Sequence, residues 1–293
     1  MTTAVLAIFA AVFIAVVSLP RQAFLDWLAP SAFNVWVGGL RRSYALVTAN
    51  FVHLAAWHLA LNMAGVYWLG RQLEPLLTRR RFIGLLLGAA LVASGTQLAL
   101  FGNLGIGGSG MGYALFGFGW AVRHTFPQLR AVLTLEVSAA WVGWFLAGWI
   151  APAMNIANGG HLGGLVFGVV SGAATAVAHP SRRRILRFAR TALLILAVLA
   201  GSFPFWQAGW WAAVGYRAHK AGAYPSAIEA YTTSLQIEPT RLWVRANLVR
   251  AEAWSGRDDE ARTAFEELQR RDPEKAAAVL EELKRAAKAP WAQ

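Results

Sequence analysis

The sequence predicts an all-α, polytopic membrane helix bundle: a six-helix core, a seventh span, and then a small α-helical repeat domain. Three observations predict it. Hydrophobic residues make up 57% of the chain and charged residues 14%, against about 25% charged in a soluble domain. Residues 1–210 hold 14 Arg, no Lys and only Asp26, Glu74 and Glu136 as acids, whereas residues 211–293 hold 13 basic and 12 acidic residues. Apolar windows long enough to cross a bilayer fill the first part, and a 34-residue period fills the second. The predicted divisions are a membrane core over 1–180, a basic loop and seventh span over 181–210, and a helical repeat domain over 211–293.

Seven windows qualify, at 3–19, 45–70, 82–101, 109–123, 130–150, 160–178 and 191–210. The fourth is short and rich in glycine. Arginines orient the stack: eleven of them, including Arg71, Arg79, Arg80, Arg81 and the run Arg182 to Arg190, fall on one side if the N-terminus is cytoplasmic. Arg21, Arg41 and Arg42 then lie opposite, as the bias of positive charge toward the cytoplasm requires. On this count the repeat domain is extracytoplasmic, in what is expected to be a bacterial inner membrane. The first window has no Lys or Arg before it and is long for a signal-peptide core, so it is expected to stay as a helix. Because the arginines cluster at membrane edges, topology explains the +12 charge without nucleic-acid binding. Pro204, Trp206, Trp210 and Trp211 at the end of the seventh window also fit a helix lying at the interface, which would leave the repeats in the cytoplasm.

In the repeat domain, Gly222, Ala227, Ala230, Tyr231 and Pro239 return as Gly256, Ala261, Ala264, Phe265 and Pro273. That spacing matches the tetratricopeptide helix-turn-helix unit, in which small residues let paired helices approach and proline ends the second. Trp211, Val214 and Gly215 stand at the early positions of the first copy, with Arg245 in place of the tryptophan in the second. Residues 274–288 form a terminal helix with one polar face, suited to a cap. Protein or peptide binding is the expected role, a structural spacer the alternative.

The membrane part carries the chemistry. In G-I-G-G-S-G-M-G-Y, from Gly105 to Tyr113, a glycine loop ends at a helix whose first residue is Ser109. Met111 stands where the G-x-S-x-G nucleophile elbow needs glycine. Glycines allow close backbone approach, and amides at a helix N-terminus can stabilise an oxyanion. A plain packing segment is the alternative. His161 opens the sixth window, and His161, Gly164, Gly168 and Gly172 share one helix face, as Ser109, Gly112 and Tyr113 do on the fourth. A polar group in hydrocarbon must be paired, so a serine and a histidine at two helix starts on the same side make a nucleophile-base pair feasible. An interhelical hydrogen bond or a cofactor ligand is the alternative for His161. His58 and Asn62, one turn apart on the second window, can each donate to an oxyanion. His53, His58 and His161 lack a carboxylate or thiolate at metal-ligand spacing, so no metal is expected. The absence of cysteine excludes disulfides and thiol catalysis.

Together, H-x-x-x-N on the second helix, G-x-S-G opening the fourth and H-x-x-G-x-x-x-G on the sixth resemble the rhomboid family of intramembrane serine proteases, over residues 1 to about 180. The resemblance implies Ser109 as nucleophile, His161 as general base in a dyad without a carboxylate, and an oxyanion hole of His58, Asn62 and the Ser109 amide. It also implies that Tyr113 packs against the base, that Gly107, Gly108, Gly110, Gly164 and Gly168 serve loop and helix packing, and that His53, Gly70 and Glu74 are scaffold. No cofactor is implied. The implied substrates are transmembrane proteins with a helix-destabilising segment and a small residue before the cut. Two positions depart from the family pattern: Ala45 replaces an arginine that commonly pairs with the acid at Glu74, leaving Arg42 as the candidate partner, and the first loop holds Trp36 apart from Arg41 and Arg42. An imidazole must be neutral to take the serine proton, so activity is expected to fall in acid. A catalytically silent rhomboid-like scaffold is the second reading. A transporter would instead place polar groups along a continuous path.

Overall fold

The computed structural model describes residues 1–151 and 156–292. Residues 152–155, between the fifth and sixth expected spans, lie outside the described residues. Contacts divide the chain into two units: Met1–Ala32 with Leu40–Phe203, and Phe33–Gly39 with Pro204–Gln293.

The first unit contains α1 (Thr2–Ser18), α2 (Arg21–Leu28), α4 (Ala45–Thr48), α5 (Ala56–Leu73), α6 (Arg79–Phe101), α7 (Ser109–Val122), α8 (Pro127–Val132), α9 (Leu135–Ile150), α10 (Asn158–Ala176) and α11 (Pro180–Ser202). By length and hydropathy, α6 and α11 qualify as membrane-crossing helices at 23 residues each, and α1 and α9 are shorter apolar helices. The remaining expected spans are diluted by the groups that matter most. α5 carries His58 and Asn62, α10 carries six glycines, and α7 has only 14 residues, which at 1.5 Å per residue falls short of the roughly 30 Å hydrocarbon core.

Three expected spans need correction. The window 130–150 holds a break, with α8 ending at Val132 and α9 starting at Leu135 behind Thr134, whose Oγ1 accepts from the Val137 amide. The window 45–70 is broken: α4 passes into a 3-10 turn at Ala49–Phe51, and α5 starts only at Ala56. Buried Asn50 holds the break, its amide donating to the Leu46 carbonyl and to Ser94 Oγ, each at 2.9 Å. The seventh helix begins at Pro180 and ends at Ser202 rather than running 191–210. Its arginines lie in its first turns, and Pro204 stops it because the residue before a proline is pushed out of the helical region.

The core of this unit is built by close approach. Small residues on facing helices let the backbones come into van der Waals contact. A Cβ at Gly164 or Gly168 would fall inside contact distance of the Gly110 or Ala114 carbonyl oxygen, and one at Gly117 would lie 2.5 Å from that of Leu165. Thus α7 and α10 meet backbone to backbone along their length. Around them Phe9, Leu69, Phe82, Leu115 and Leu129 are fully buried. Glu74, at the end of α5, accepts from the Met1 amino group, from the Thr2 amide at 2.9 Å and from Thr2 Oγ1 at 2.8 Å. These bonds hold its carboxyl down to about 2. The anchor expected from Arg42 is therefore supplied by the start of α1.

The second unit contains α3 (Ala32–Gly38) in its greater part, then α12 (Ala208–Lys220), α13 (Tyr224–Ile237), α14 (Leu242–Trp254), α15 (Asp258–Arg271) and α16 (Pro273–Arg285). The sequence period recurs in the turns. Gly222 and Gly256 adopt φ of +74° and +75°, and the following amides of Ala223 and Arg257 donate back to Ala218 and Glu252 carbonyls. Within the first pair, Gly215 lets the Tyr231 ring seat against its backbone; a Cβ there would meet the ring at 2.6 Å. Arg245, the departure in the second pair, is buried but pairs with Glu267 at 3.3 Å. Phe33 adds its ring edge-on to Trp243 and Tyr216, at 5.1 and 5.6 Å between centroids.

Glu252 on α14 is buried, with Oε2 unpartnered among the described residues. Burial, then repulsion from Glu260, pushes its carboxyl up to about 7. A raised folded-state pKa means the folded state holds the proton longer than the unfolded chain. Stability is therefore full below about pH 4.5 and declines as pH rises toward 7, by an amount on the order of 1–3 kcal/mol. In the full chain, hydrogen-exchange protection of α14, corrected for intrinsic rates, is expected to fall about 10-fold or more between pH 5 and 8. In Glu252→Gln it should stay flat. A flat wild-type profile contradicts this account.

Candidate active site

The glycine loop before α7 is pinned by the broken segment before α5. Gly105 and Gly107 take φ of +66° and +99°, which favour glycine. The Gly107 amide donates to the Ala49 carbonyl at 3.1 Å, and the Gly108 amide donates to His53 Nε2 at 3.3 Å. Phe9 of α1 lies under Gly108 so closely that a Cβ there would enter its ring, and the same ring packs edge-on to His53. The break in the expected second span thus supplies the acceptors that shape the loop.

The loop delivers Ser109 to the first position of α7. The first intrahelical bond runs from the Gly112 amide to the Gly108 carbonyl, so the amides of Ser109 and Gly110 precede it and stand at the positive end of the helix. Ser109 is partly exposed, and His161 is buried in the first turn of α10. Ser109 Oγ and His161 Nε2 lie 2.7 Å apart, across 52 residues of sequence. For the hydroxyl to donate, the imidazole proton must sit on Nδ1. His161 Nδ1 has no hydrogen-bond partner among the described residues. The ring is oriented by stacking instead: Tyr113 lies 4.4 Å away at 30°, and its hydroxyl donates to the Trp141 carbonyl at 2.9 Å.

His58 and Asn62 face the same loop. A Cβ on Gly107 would meet His58 Nε2 at 2.8 Å and Asn62 Nδ2 at 3.5 Å, so both nitrogens border the glycine backbone beside Ser109. Asn62 Nδ2 donates one proton to the His58 carbonyl at 2.9 Å, and an amide nitrogen has a second to give. Gly110, Gly164 and Gly168 lie in the α7–α10 contact that sets the two helix starts side by side, while Gly107 and Gly108 form the loop. Ser109, His161, His58, Asn62 and Tyr113 therefore fall within one neighbourhood, Gly164 and Gly168 follow along the α7–α10 contact, and Gly70 and Glu74 meet Thr2 instead. Among the described residues no three His, Asp or Glu side chains gather as a metal site.

Two contributors escape sequence reasoning, Phe9 and Gln97, while His53 is the scaffold that the resemblance implied. Phe9 supports Gly108, and His53 accepts its amide hydrogen. Gln97, buried on α6, accepts from the Gly160 amide at 3.0 Å and donates to Asn103 at 2.8 Å, steadying the turn before His161. A lone amide inside the apolar 82–101 window was the available signal for Gln97.

Residues 40–178 match the family described as Rhomboid domain, and residues 218–289 match Tetratricopeptide repeat. The chain is similar to proteins named Rhomboid protease GlpG from Yersinia pestis, strain Pestoides F, and Yersinia pseudotuberculosis, serotype O:3. Each is 28% identical over 173 residues, covering 58% of this chain and 60% of the relative. The protein of that name from Yersinia enterocolitica is 28% identical over 172 residues, with the same coverage. The chain thus spans about 60% of the length of the curated relatives it matches.

Proposed function

From a chain that carries a rhomboid domain joined to tetratricopeptide repeats, we propose an intramembrane serine endopeptidase acting by a Ser109–His161 dyad. The observation that supports this most is the 2.7 Å contact between the Ser109 hydroxyl and His161 Nε2 at the start of α7. His161 accepts the serine proton as Oγ attacks a peptide carbonyl, forming a tetrahedral oxyanion. The Ser109 amide, the second Asn62 N–H and His58 donate to that oxyanion. Its collapse expels the amine, which takes the proton from the imidazolium, and leaves an acyl-enzyme on Ser109. Water, activated by the same imidazole, then releases the acid. Tyr113 holds the ring in place of the carboxylate that orients the base in a triad.

The substrate is a transmembrane segment of another protein. Its carbonyls are engaged in i to i+4 bonds within a helix, so it must unwind locally before attack, and water must reach Ser109. We place the core at 1–180, the linking basic segment at 181–210 and the repeats at 211–293, with the N-terminus cytoplasmic, the repeats extracytoplasmic and available to a protein or peptide partner, and the bilayer a bacterial inner membrane. A fluorophosphonate probe tests the nucleophile. The expected result is a single adduct on Ser109 in the full chain and none in His161→Ala. No adduct at Ser109, or equal labelling of both proteins, would favour a catalytically silent scaffold.

A further inference from the structure

Away from Ser109, a cavity of about 850 Å³ opens between α6, α10 and α11. Its origin lies in how α6 and α11 cross. At Gly95 and Gly201 the backbones touch, a Cβ on Gly201 lying 2.7 Å from the Gly95 carbonyl oxygen. Toward their first turns the two helices part, and a Cβ on Gly84 would meet nothing within 4 Å. Five arginines line the mouth: Arg80 and Arg81 from α6, Arg183, Arg187 and Arg190 from α11. No acidic side chain lines it, and none of the five takes part in an ion pair among the described residues. Arg183 directs Nε to the Val177 carbonyl at 2.9 Å, which fixes its guanidinium near the mouth. Deeper in, Leu87, Leu91, Phe167 and Leu194 give an apolar wall. Ser171 lines the same cavity; it is 5% exposed, and its Oγ has no hydrogen-bond partner among the described residues.

We propose that this cavity binds one anionic phospholipid, its phosphate held by the arginines and an acyl chain lying along the leucines toward the α6–α11 crossing. Five guanidiniums with no acidic neighbour favour an anion, and Arg is suited to bidentate contact with phosphate. The first turns of α6 and α11 both end at the mouth, adding the positive ends of two helices. An apolar wall behind a basic mouth suits an amphiphile rather than a free anion, and basic pockets between membrane helices take phospholipid headgroups. The unpartnered Ser171 hydroxyl offers a hydrogen bond to an ester oxygen. This inference rests on the membrane reading of the chain and is independent of proteolysis.

Native mass spectrometry of the delipidated full chain tests it, with phosphatidylglycerol and phosphatidylcholine added separately. One phosphatidylglycerol per chain is expected, retained at least 10-fold better than phosphatidylcholine and unaffected by millimolar inorganic phosphate. Arg187→Gln with Arg190→Gln should lower retention about 10-fold or more. Gly84→Trp, which keeps every charge and fills the open space, should do the same; circular dichroism checks that each variant is folded. Equal retention of the two lipids, unchanged binding in both folded variants, displacement by inorganic phosphate, or a second copy of the chain in place of lipid would overturn the proposal.

Discussion

Replacing Ser109 by Ala is expected to lower kcat/KM for a transmembrane reporter substrate by at least about 10³-fold, and replacing His161 by Ala by a similar amount. That corresponds to about 4 kcal/mol of transition-state stabilisation. The double replacement should be no worse than either single one, because an alcohol without its base and a base without its alcohol perform the same lost step. Additive losses in the double variant would mean that the 2.7 Å contact is not one catalytic unit. Asn62→Ala should cost less, about 10²-fold, and mainly in kcat, since its amide acts only once the oxyanion has formed.

The second large effect concerns the frame. Gly168→Val drives a Cβ into the Ala114 carbonyl oxygen where α7 and α10 touch. Backbone cannot yield as a side-chain tip can, so the helices must separate. The expected loss of stability lies at the upper end of about 1–3 kcal/mol or beyond, with cleavage lost because Ser109 and His161 ride on the two separated helices. Gly143→Ala is the control. Nothing lies within 4 Å of its added methyl, so stability should hold or rise by roughly 0.5–1 kcal/mol from helix propensity. Thermal unfolding and the cleavage assay read both. A Gly168→Val protein as stable as wild type would contradict the backbone contact.

Local pattern carries a good part of this molecule. Ser109 begins a helix because a glycine loop precedes it, and His161 begins another because Asn158, Gly159 and Gly160 open α10. The stripe of Gly164, Gly168 and Gly172 announces that something packs closely there, and the 34-residue period announces paired helices. Each is a signal within a few turns of chain. What stays hidden is the pairing of distant segments. Hydropathy runs unbroken through 45–70, yet Asn50 finds Ser94 44 residues later and bends the chain away from the helix. His53 finds the Gly108 amide 55 residues on, and Gln97 finds Gly160 after 63. No period encodes such partners. Glu74 shows the same limit, since the reasonable charge partner Arg42 is passed over for Met1 and Thr2. The first-loop helices α2 and α3, of eight and seven residues, are too short for a helical period to stand out in the sequence.

The proposed Ser109–His161 dyad acts on a membrane-embedded peptide bond. Its most direct measurement incorporates the purified full chain, or its Ser109→Ala variant, into liposomes with a transmembrane reporter and determines the product masses. The account expects one defined cut within the reporter's transmembrane segment by wild type and none by the variant. The same products from both proteins, or no product from wild type across several reporters with destabilised helices, would contradict it.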